Sequence, residues 1–178
     1  MQRTIILSLI MIICVITFAS QAYRLKPRRN APPAILATLN ALATKALKKE
    51  EVPVGAVLTY GDSIIGLGFN TIVRDTMLSG HAELNALNDA HKKFRAEWGQ
   101  LDRSKMTMYS TYEPCDMCKG AMLNMNICNV VFEGPKSVVD QLKATLKSWA
   151  FDLKKRRFYA PGMQENLFRQ HPGYPGRR

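Results

Sequence analysis

The sequence EPCDMC occupies residues 113–118, and a second short segment, GHAE, occupies residues 80–83. Helical apolar spacing follows the second segment, and both segments are predicted to open helices. Together they hold an imidazole (His81), a carboxylate (Glu83) and two thiols (Cys115 and Cys118). The sequence therefore predicts four chemically active side chains at the N-terminal ends of two successive helices.

The two thiols are spaced for metal binding. Cys115 and Cys118 are three residues apart, which is about one helical turn, so both sulfurs point the same way. Side chains tilt toward the N-terminus of a helix, where unpaired N–H groups favour the thiolates that bind metals. A Cys-x-x-Cys pair alone is also typical of a redox pair or of half a structural zinc site.

His81 adds a third ligand to this pair. Structural zinc sites are normally closed by four protein ligands, whereas catalytic sites keep an open position for water. The other cysteines and histidines lack ligand spacing: Cys14, Cys128, His91 and His171. We therefore expect one Zn²⁺ ion per chain, held by His81, Cys115 and Cys118.

Glu83 lies two residues beyond His81, about 200° around an ideal helix. Both side chains reach one point only if that point lies off the helix end. A carboxylate there can take a proton from zinc-bound water and pass it to a leaving group. Taken alone, Glu83 would be interpreted as a first-turn helix charge and His81 as a cap or core histidine; their occurrence with Pro-Cys-x-x-Cys is far more specific.

Helical and strand patterns alternate along the chain. Helices are predicted over residues 34–49, from about residue 80, over 115–125 and from about residue 137. Strands are predicted at 52–60 and 63–69, as a hairpin, and at 106–112 and 130–132. The order α-β-β-α-β-α-β-α predicts an α/β fold in which helices cover both faces of a mixed sheet.

The chain begins with a membrane-directed pattern. Residues 5–19 are nearly all apolar, Arg3 precedes them, and Ser20 and Ala22 suit cleavage. We predict a signal peptide or a membrane anchor over residues 1–22, followed by a basic, Pro-rich linker over 23–33. Export is expected; the alternative is an anchored protein with its domain in the cytoplasm, because cations follow the apolar segment.

Charge is concentrated at the ends of the chain. The formal net charge is +11, but residues 31–135 are close to neutral and the flanks are basic. Basic flanks suit anionic surfaces and also serve solubility. An irregular basic tail is predicted for residues 158–178. Its last two residues, Arg177 and Arg178, would be available to phosphate together with Arg156 and Arg157.

The two motifs match the His-x-Glu and Pro-Cys-x-x-Cys signature of zinc-dependent nucleobase deaminases. The surrounding sequence also resembles bacterial tRNA adenosine deaminases and guanine deaminases. The similar segments are EVPVGAV at 51–57, GLGFN at 66–70, YEPCDMC at 112–118, GAM at 120–122 and VVF at 130–132. Residues 34–134 therefore resemble a cytidine and deoxycytidylate deaminase-type domain.

This resemblance implies a three-layer α/β/α sandwich with a mixed central sheet. We predict that the zinc-dependent deaminase domain, with the helix from about residue 137, fills residues 34–157. It implies His81, Cys115 and Cys118 as zinc ligands, Glu83 as the proton shuttle and Asn70 as a contact to the base. Asn70 has a second interpretation as a turn residue that ends a strand. A homodimer is also implied.

The segment DTMLSG at residues 75–80 departs from the family, which usually carries Asp-Pro in the stretch before the motif histidine and a larger residue than Gly80. This loop borders the predicted pocket, so the motifs leave the substrate open. We predict a free nucleobase or nucleoside of the guanine, cytosine or adenine type. The alternatives are a tRNA adenosine deaminase and a catalytically silent zinc or thiol module with a Cys115–Cys118 disulfide.

Overall fold

The computed structural model describes residues 11–12, 14, 30–155 and 163–170. The helices and strands are α1 Pro33–Leu47, β1 Gly55–Tyr60, β2 Ser63–Phe69, α2 Ile72–Asp75, α3 Ala82–Phe94, β3 Met106–Tyr112, α4 Asp116–Asn124, β4 Asn129–Gly134, α5 Val138–Lys154 and α6 Met163–Gln170. Two 3-10 turns, Arg95–Gln100 and Arg103–Lys105, connect α3 to β3. The chain forms two compact units, Met1–Pro135 and Lys136–Arg178.

The first unit contains a four-stranded sheet in the order β2-β1-β3-β4. Strand β1 pairs antiparallel with both β2 and β3, and β3 pairs parallel with β4. Gly61, with a φ of 56°, lies in the turn between β1 and β2, where glycine adopts a left-handed conformation without steric cost. The predicted hairpin and the mixed sheet are both present.

Alternate residues of β1 face opposite helical layers. Val57 packs with Ile35 and Leu39 of α1. Ala56 and Leu58 belong to the larger core that α3 and α4 cover on the opposite face. The observed architecture is the predicted three-layer α/β/α sandwich.

Helix α3 lies directly on the backbone of β2. A Cβ atom at Gly68 would stand 2.0 Å from the carbonyl oxygen of Ala82, and one at Gly66 would stand 2.2 Å from that of Ala86. Ala82, Ala86 and Ala90 are fully buried along this contact. Small residues on both elements therefore let the helix approach the strand closely, which fixes where its N-terminus lies.

The second unit contains α5 and α6. The side-chain oxygen of Ser137 accepts a hydrogen bond from Asp140 N at 3.1 Å and so caps α5. Helix α6 falls inside the segment that was predicted to be irregular, since the prolines and glycines of that segment flank Met163–Gln170 and do not interrupt it. Arg156, Arg157 and the C-terminal arginines lie outside the described residues.

The predicted signal peptide or anchor, residues 1–22, falls outside the described residues except for Met11, Ile12 and Cys14. Most of the predicted linker also lies outside them. The last linker residue, Pro33, begins α1, a position where the missing N–H of proline removes no hydrogen bond. None of the helices in the described part of the chain has the length and apolar character needed to cross a membrane.

Candidate metal centre

The two motifs lie at the N-termini of α3 and α4, with one residue of each motif just outside its helix. His81 is the N-cap of α3, with φ −78° and ψ 147°. Cys115 is the N-cap of α4, with φ −75° and ψ 171°. Their extended backbones turn both side chains beyond the helix ends, while Glu83 and Cys118 lie in the first turns. This geometry explains how residues two apart on α3 reach one place.

Three ligand atoms form a nearly equilateral triangle. The Sγ of Cys115 lies 3.5 Å from Nδ1 of His81 and 3.6 Å from Sγ of Cys118. The third side, from Cys118 Sγ to His81 Nδ1, is 3.6 Å. Tetrahedral zinc, with bonds of about 2.3 Å to sulfur and about 2.0 Å to nitrogen, separates such atoms by about 3.5–3.8 Å. The donor set and its spacing therefore fit a zinc ion.

The two thiols have different electrostatic environments. The hydrogen bond with Cys118 lowers the pKa of Cys115 to about 5. The same bond raises the pKa of the Cys118 thiol, and burial and the nearby Glu83 carboxylate raise it further. In the metal-free site, these opposite pKa shifts favour a thiolate on Cys115 and a thiol on Cys118. A coordinating thiol loses its proton, so a bound cation would ionise Cys118 as well.

Glu83 is buried beside this triangle, with 4% of its surface exposed. Its Oε2 accepts a hydrogen bond from Cys118 Sγ at 3.4 Å, and its Oε1 accepts one from Ser110 Oγ at 3.1 Å. A carboxylate so close to the ligand atoms is within reach of any molecule bound there. The structure thus brings the predicted carboxylate to the predicted ligands.

Asn70 is also buried and lies against the start of α3. Its Oδ1 accepts a hydrogen bond from Ala82 N at 2.9 Å, which satisfies one of the free N–H groups of that helix end. Asn85 holds the adjoining loop, because its Nδ2 donates to Phe69 O and to Thr71 Oγ1. Thr71 N also donates to Gly80 O at 2.8 Å, which draws the two ends of the loop together.

Sequence reasoning missed Ser110 and Asn85. The signal for Ser110 was available, because the core-facing positions of β3 are Met106, Met108 and Ser110, and a lone hydroxyl in such a series needs a partner. Asn85 gave no signal of this kind, since a polar residue in the first turns of a helix is ordinary.

The other cysteines and histidines are placed as expected where they are described. Cys14 and Cys128 are exposed and outside the triangle. His91 is exposed, and its ring packs edge-on against Trp98 at 5.5 Å. His171 lies outside the described residues. Among the described residues, His81, Cys115 and Cys118 are the one group placed to share a metal ion.

Several known proteins are similar to this chain in sequence or in structure. A tRNA-specific adenosine deaminase of Buchnera aphidicola is 37% identical over 82 residues, which are 46% of this chain and 52% of that protein. The chain therefore spans about half the length of that relative. Guanine deaminase from Bacillus subtilis superposes with a TM-score of 0.56 and 26% identity, covering 78% of this chain and 90% of that one.

A second solved structure comes from studies of A-to-I editing by tRNA:A34 deaminases at the wobble position of transfer RNA. It superposes with a TM-score of 0.51 and 26% identity, covering 57% of this chain and 75% of that one. The prediction of export is wrong in the light of these relatives. Curated relatives from Buchnera and from Streptococcus pyogenes are named for tRNA, and an exported enzyme meets no tRNA.

The sandwich, the ligand triangle and the buried carboxylate all lie within one continuous stretch of sequence. Residues 33–133 match the family model described as the cytidine and deoxycytidylate deaminase zinc-binding region. That stretch contains β1 to β3, all but the last residue of β4, both motif helices and every residue of the triangle. The chain belongs to the cytidine and deoxycytidylate deaminase family of zinc-binding proteins.

Proposed function

We propose that this chain is a zinc-dependent hydrolytic deaminase that replaces an amino group of a nucleobase with oxygen and releases ammonia. The observation that carries the proposal is the ligand triangle of His81, Cys115 and Cys118 with the Glu83 carboxylate buried against it. Three protein ligands leave a tetrahedral ion one position for water, which is the pattern of catalytic zinc sites.

When bound, zinc supplies Lewis acidity, which lowers the pKa of water and makes it a competent nucleophile at neutral pH. Glu83 performs the proton transfers in this proposal. Its carboxylate takes one proton from the attacking water and delivers it to the ring nitrogen, and then takes the second proton from the added hydroxyl group and delivers it to the departing amine. Water and the amino-substituted base become ammonia and the oxo-substituted base, so the atoms balance.

Asn70 is proposed to orient the base. Because its Oδ1 accepts the hydrogen bond from Ala82 N, Nδ2 is the group that it offers to a ligand. An amide N–H donor pairs with an acceptor on the base, such as a ring nitrogen or an exocyclic oxygen. Asn70 therefore has a double task, since it caps α3 and contacts the substrate.

Two substrate types have specific support. The superposition on Bacillus subtilis guanine deaminase, which covers most of both chains, favours a free purine base. The identity with tRNA-specific adenosine deaminases favours adenosine in tRNA. Cationic groups next to the site also suit a polynucleotide: Lys45 Nζ and the Arg74 guanidinium lie 4.7 and 5.5 Å from the ring centre of Phe69, the residue before Asn70.

The test is to purify the full-length protein, measure bound zinc, and assay ammonia release from free bases, nucleosides and a tRNA. We expect one zinc ion per chain and ammonia from one class of substrate. Stoichiometric zinc without ammonia from any of them would favour the catalytically silent module. A chain that binds no zinc would contradict the proposed metal site, and with it the proposed function. Light scattering on the same sample tests the expected homodimer.

Salt dependence separates the two substrate types. Each phosphate contact releases a counterion, so a tRNA deaminase loses affinity steeply as salt rises, by roughly a thousandfold or more between 50 and 200 mM when six or more contacts form. The KM for a free base responds little, because a neutral ligand displaces no counterions. The slope of log KM against log salt therefore identifies the substrate class, whatever the nucleotide sequence of the tRNA.

Replacing the proposed proton carrier tests the mechanism. Glu83→Gln keeps the shape of the side chain and one oxygen acceptor but cannot accept the proton, so kcat should fall by roughly 10²–10⁴-fold while zinc stays bound. Glu133→Gln, on the exposed side of β4, is the matched control and should keep full activity. Equal activity in Glu83→Gln would contradict the mechanism.

A further inference from the structure

We propose that Ser110 is a positioning residue, whose hydroxyl group holds the Glu83 carboxylate so that Oε2 faces the metal ligands. This inference rests on the proposed function, in which Glu83 carries the proton. It concerns a residue of the central sheet that lies outside both sequence motifs.

The hydroxyl of Ser110 is buried, and its single hydrogen-bond donor is used within the protein. Only 1% of the residue is exposed, so it exchanges no hydrogen bond with bulk water. Its Oγ accepts from the backbone N–H of Tyr112 at 3.4 Å and donates to Glu83 Oε1 at 3.1 Å. A carboxylate oxygen is an acceptor, which sets the direction of the second bond.

Packing alone does not explain why a hydroxyl group lies at this position of the sheet. Ser110 pairs with Ala56 across the sheet, and the preceding core-facing residues of β3, Met106 and Met108, are fully buried and apolar. Burying a hydroxyl costs free energy unless a partner compensates it. Here the compensating partner is the carboxylate of Glu83.

The two hydrogen bonds of Glu83 divide its oxygens between two tasks. Ser110 holds Oε1 on the sheet side, and Oε2 points to Cys118 Sγ at 3.4 Å. A carboxylate held at one oxygen by a rigid strand keeps one orientation, which leaves the other oxygen aimed at the ligand triangle. Since a serine hydroxyl keeps its proton throughout the physiological range, this support does not depend on whether the cysteines hold a metal.

The test compares zinc-loaded, full-length wild type with Ser110→Ala and Ser110→Thr. Hydrogen bonds to charged groups have large effects when lost, so we expect Ser110→Ala to lower kcat roughly tenfold to a hundredfold. Its zinc content should be unchanged and its KM should stay within about twofold. Ser110→Thr retains the hydroxyl and should restore most of kcat.

The matched control is Thr59→Val, which removes another buried hydroxyl from the same sheet. Thr59 Oγ1 donates to Thr107 O at 3.3 Å and does not contact Glu83. We expect kcat of this variant to match wild type. An equal fall in Thr59→Val would show a general effect on the sheet, and a kcat within about twofold of wild type in Ser110→Ala would overturn the inference.

A second readout needs no activity. A double-mutant cycle of Ser110→Ala and Glu83→Ala, each of which removes one partner of the hydrogen bond, followed by urea unfolding, should show coupling of at least about threefold in the unfolding equilibrium constant. If the wild type releases no ammonia from any substrate, the proposed function fails and this cycle decides the Ser110 contact alone. Coupling would then support the contact, and strict additivity would overturn it.

Discussion

The backbone of Gly68 lies against the carbonyl oxygen of Ala82, so closely that a methyl group at position 68 would stand 2.0 Å from it. Ala82 separates His81 from Glu83, and its N–H is the group that Asn70 caps. One backbone contact between β2 and α3 therefore fixes the position of the start of α3. The positions of the His81 imidazole and the Glu83 carboxylate follow from it. The glycine is part of the site although it carries no reactive atom.

Gly68→Ala should disturb stability and metal binding together. The added methyl meets backbone and not a flexible side chain, so the start of α3 must move, at a cost of about 1–3 kcal/mol or more in unfolding free energy. Zinc affinity should fall because His81 moves with the helix. Urea unfolding and competition with a chromophoric chelator measure the two effects.

Gly120→Ala is the control for that substitution. A Cβ atom at Gly120 meets nothing within 4 Å, and alanine is the better helix former by about 0.5–1 kcal/mol. This variant should be slightly more stable than wild type and bind zinc equally. Unchanged zinc affinity in Gly68→Ala would refute the link between the strand contact and the ligand.

Cys115→Ser should remove the metal. Loss of a thiolate leaves two ligands, and we expect zinc affinity to fall by more than the roughly 10–100-fold that follows the loss of an outer-shell partner. Cys128→Ser changes an exposed cysteine outside the triangle and should bind zinc like wild type. Metal analysis after dialysis distinguishes the two, and a fully metallated Cys115→Ser protein would disprove the ligand assignment.

The pKa of Cys115 predicts how the metal-free chain reacts with alkylating agents. Because the hydrogen bond with Cys118 lowers this pKa from 9.0 to about 5, Cys115 should be a thiolate at pH 7 and react first with iodoacetamide. Its rate should fall as the pH drops through about 5. The lowered pKa of Cys115 makes the metal-free fold more stable as the pH rises from about 5 toward 9, and above that range the raised pKa of the Cys118 thiol acts in the opposite direction.

Peptide mapping after brief alkylation identifies the reacting cysteine. Zinc should protect Cys115, since a coordinated thiolate is less available to the reagent. If the alkylation rate of Cys115 has a pH profile centred near the ordinary thiol pKa, that result would contradict the hydrogen bond between the two cysteines.

Two substitutions at Asn70 separate its two tasks. Asn70→Asp keeps an oxygen acceptor for Ala82 N but loses the amide donor, so stability should be retained while KM rises. Asn70→Ala loses both groups and should also lose about 1 kcal/mol of stability with the cap. Thermal unfolding and steady-state kinetics measure the pair, and equal kinetics in wild type and Asn70→Asp would exclude the amide as a substrate contact.

The sequence predicted those parts of the fold that depend on local patterns. Helical spacing located α3, alternation located the β1–β2 hairpin, and the intervals in the two motifs placed the ligand atoms at helix ends. The inference that His81 and Glu83 meet beyond the end of α3 agrees with the observed geometry, because the extended backbone of His81 directs its side chain past the helix.

Long-range contacts could not be predicted in this way. The Ser110 hydrogen bond joins residues 27 positions apart, and that of Asn70 to the start of α3 spans a loop containing the short helix α2. Each depends on strand register and on how closely a helix approaches the sheet, neither of which a motif encodes. The prediction of export failed for another reason, because a short apolar N-terminus does not identify where a domain works.

The strand order β2-β1-β3-β4 also determines when the metal centre is assembled. Cys115 and Cys118 are one helical turn apart, so the first turn of α4 is enough to bring them together. His81 joins them only after β1 has paired with β2 on one edge and with β3 on the other. The pairing of β1 with β3 joins segments about 50 residues apart, and pairing over such distances is slow to form. We therefore expect the two thiols of a newly synthesised chain to come together before His81 joins them, so that oxidation would compete with metal uptake at that stage.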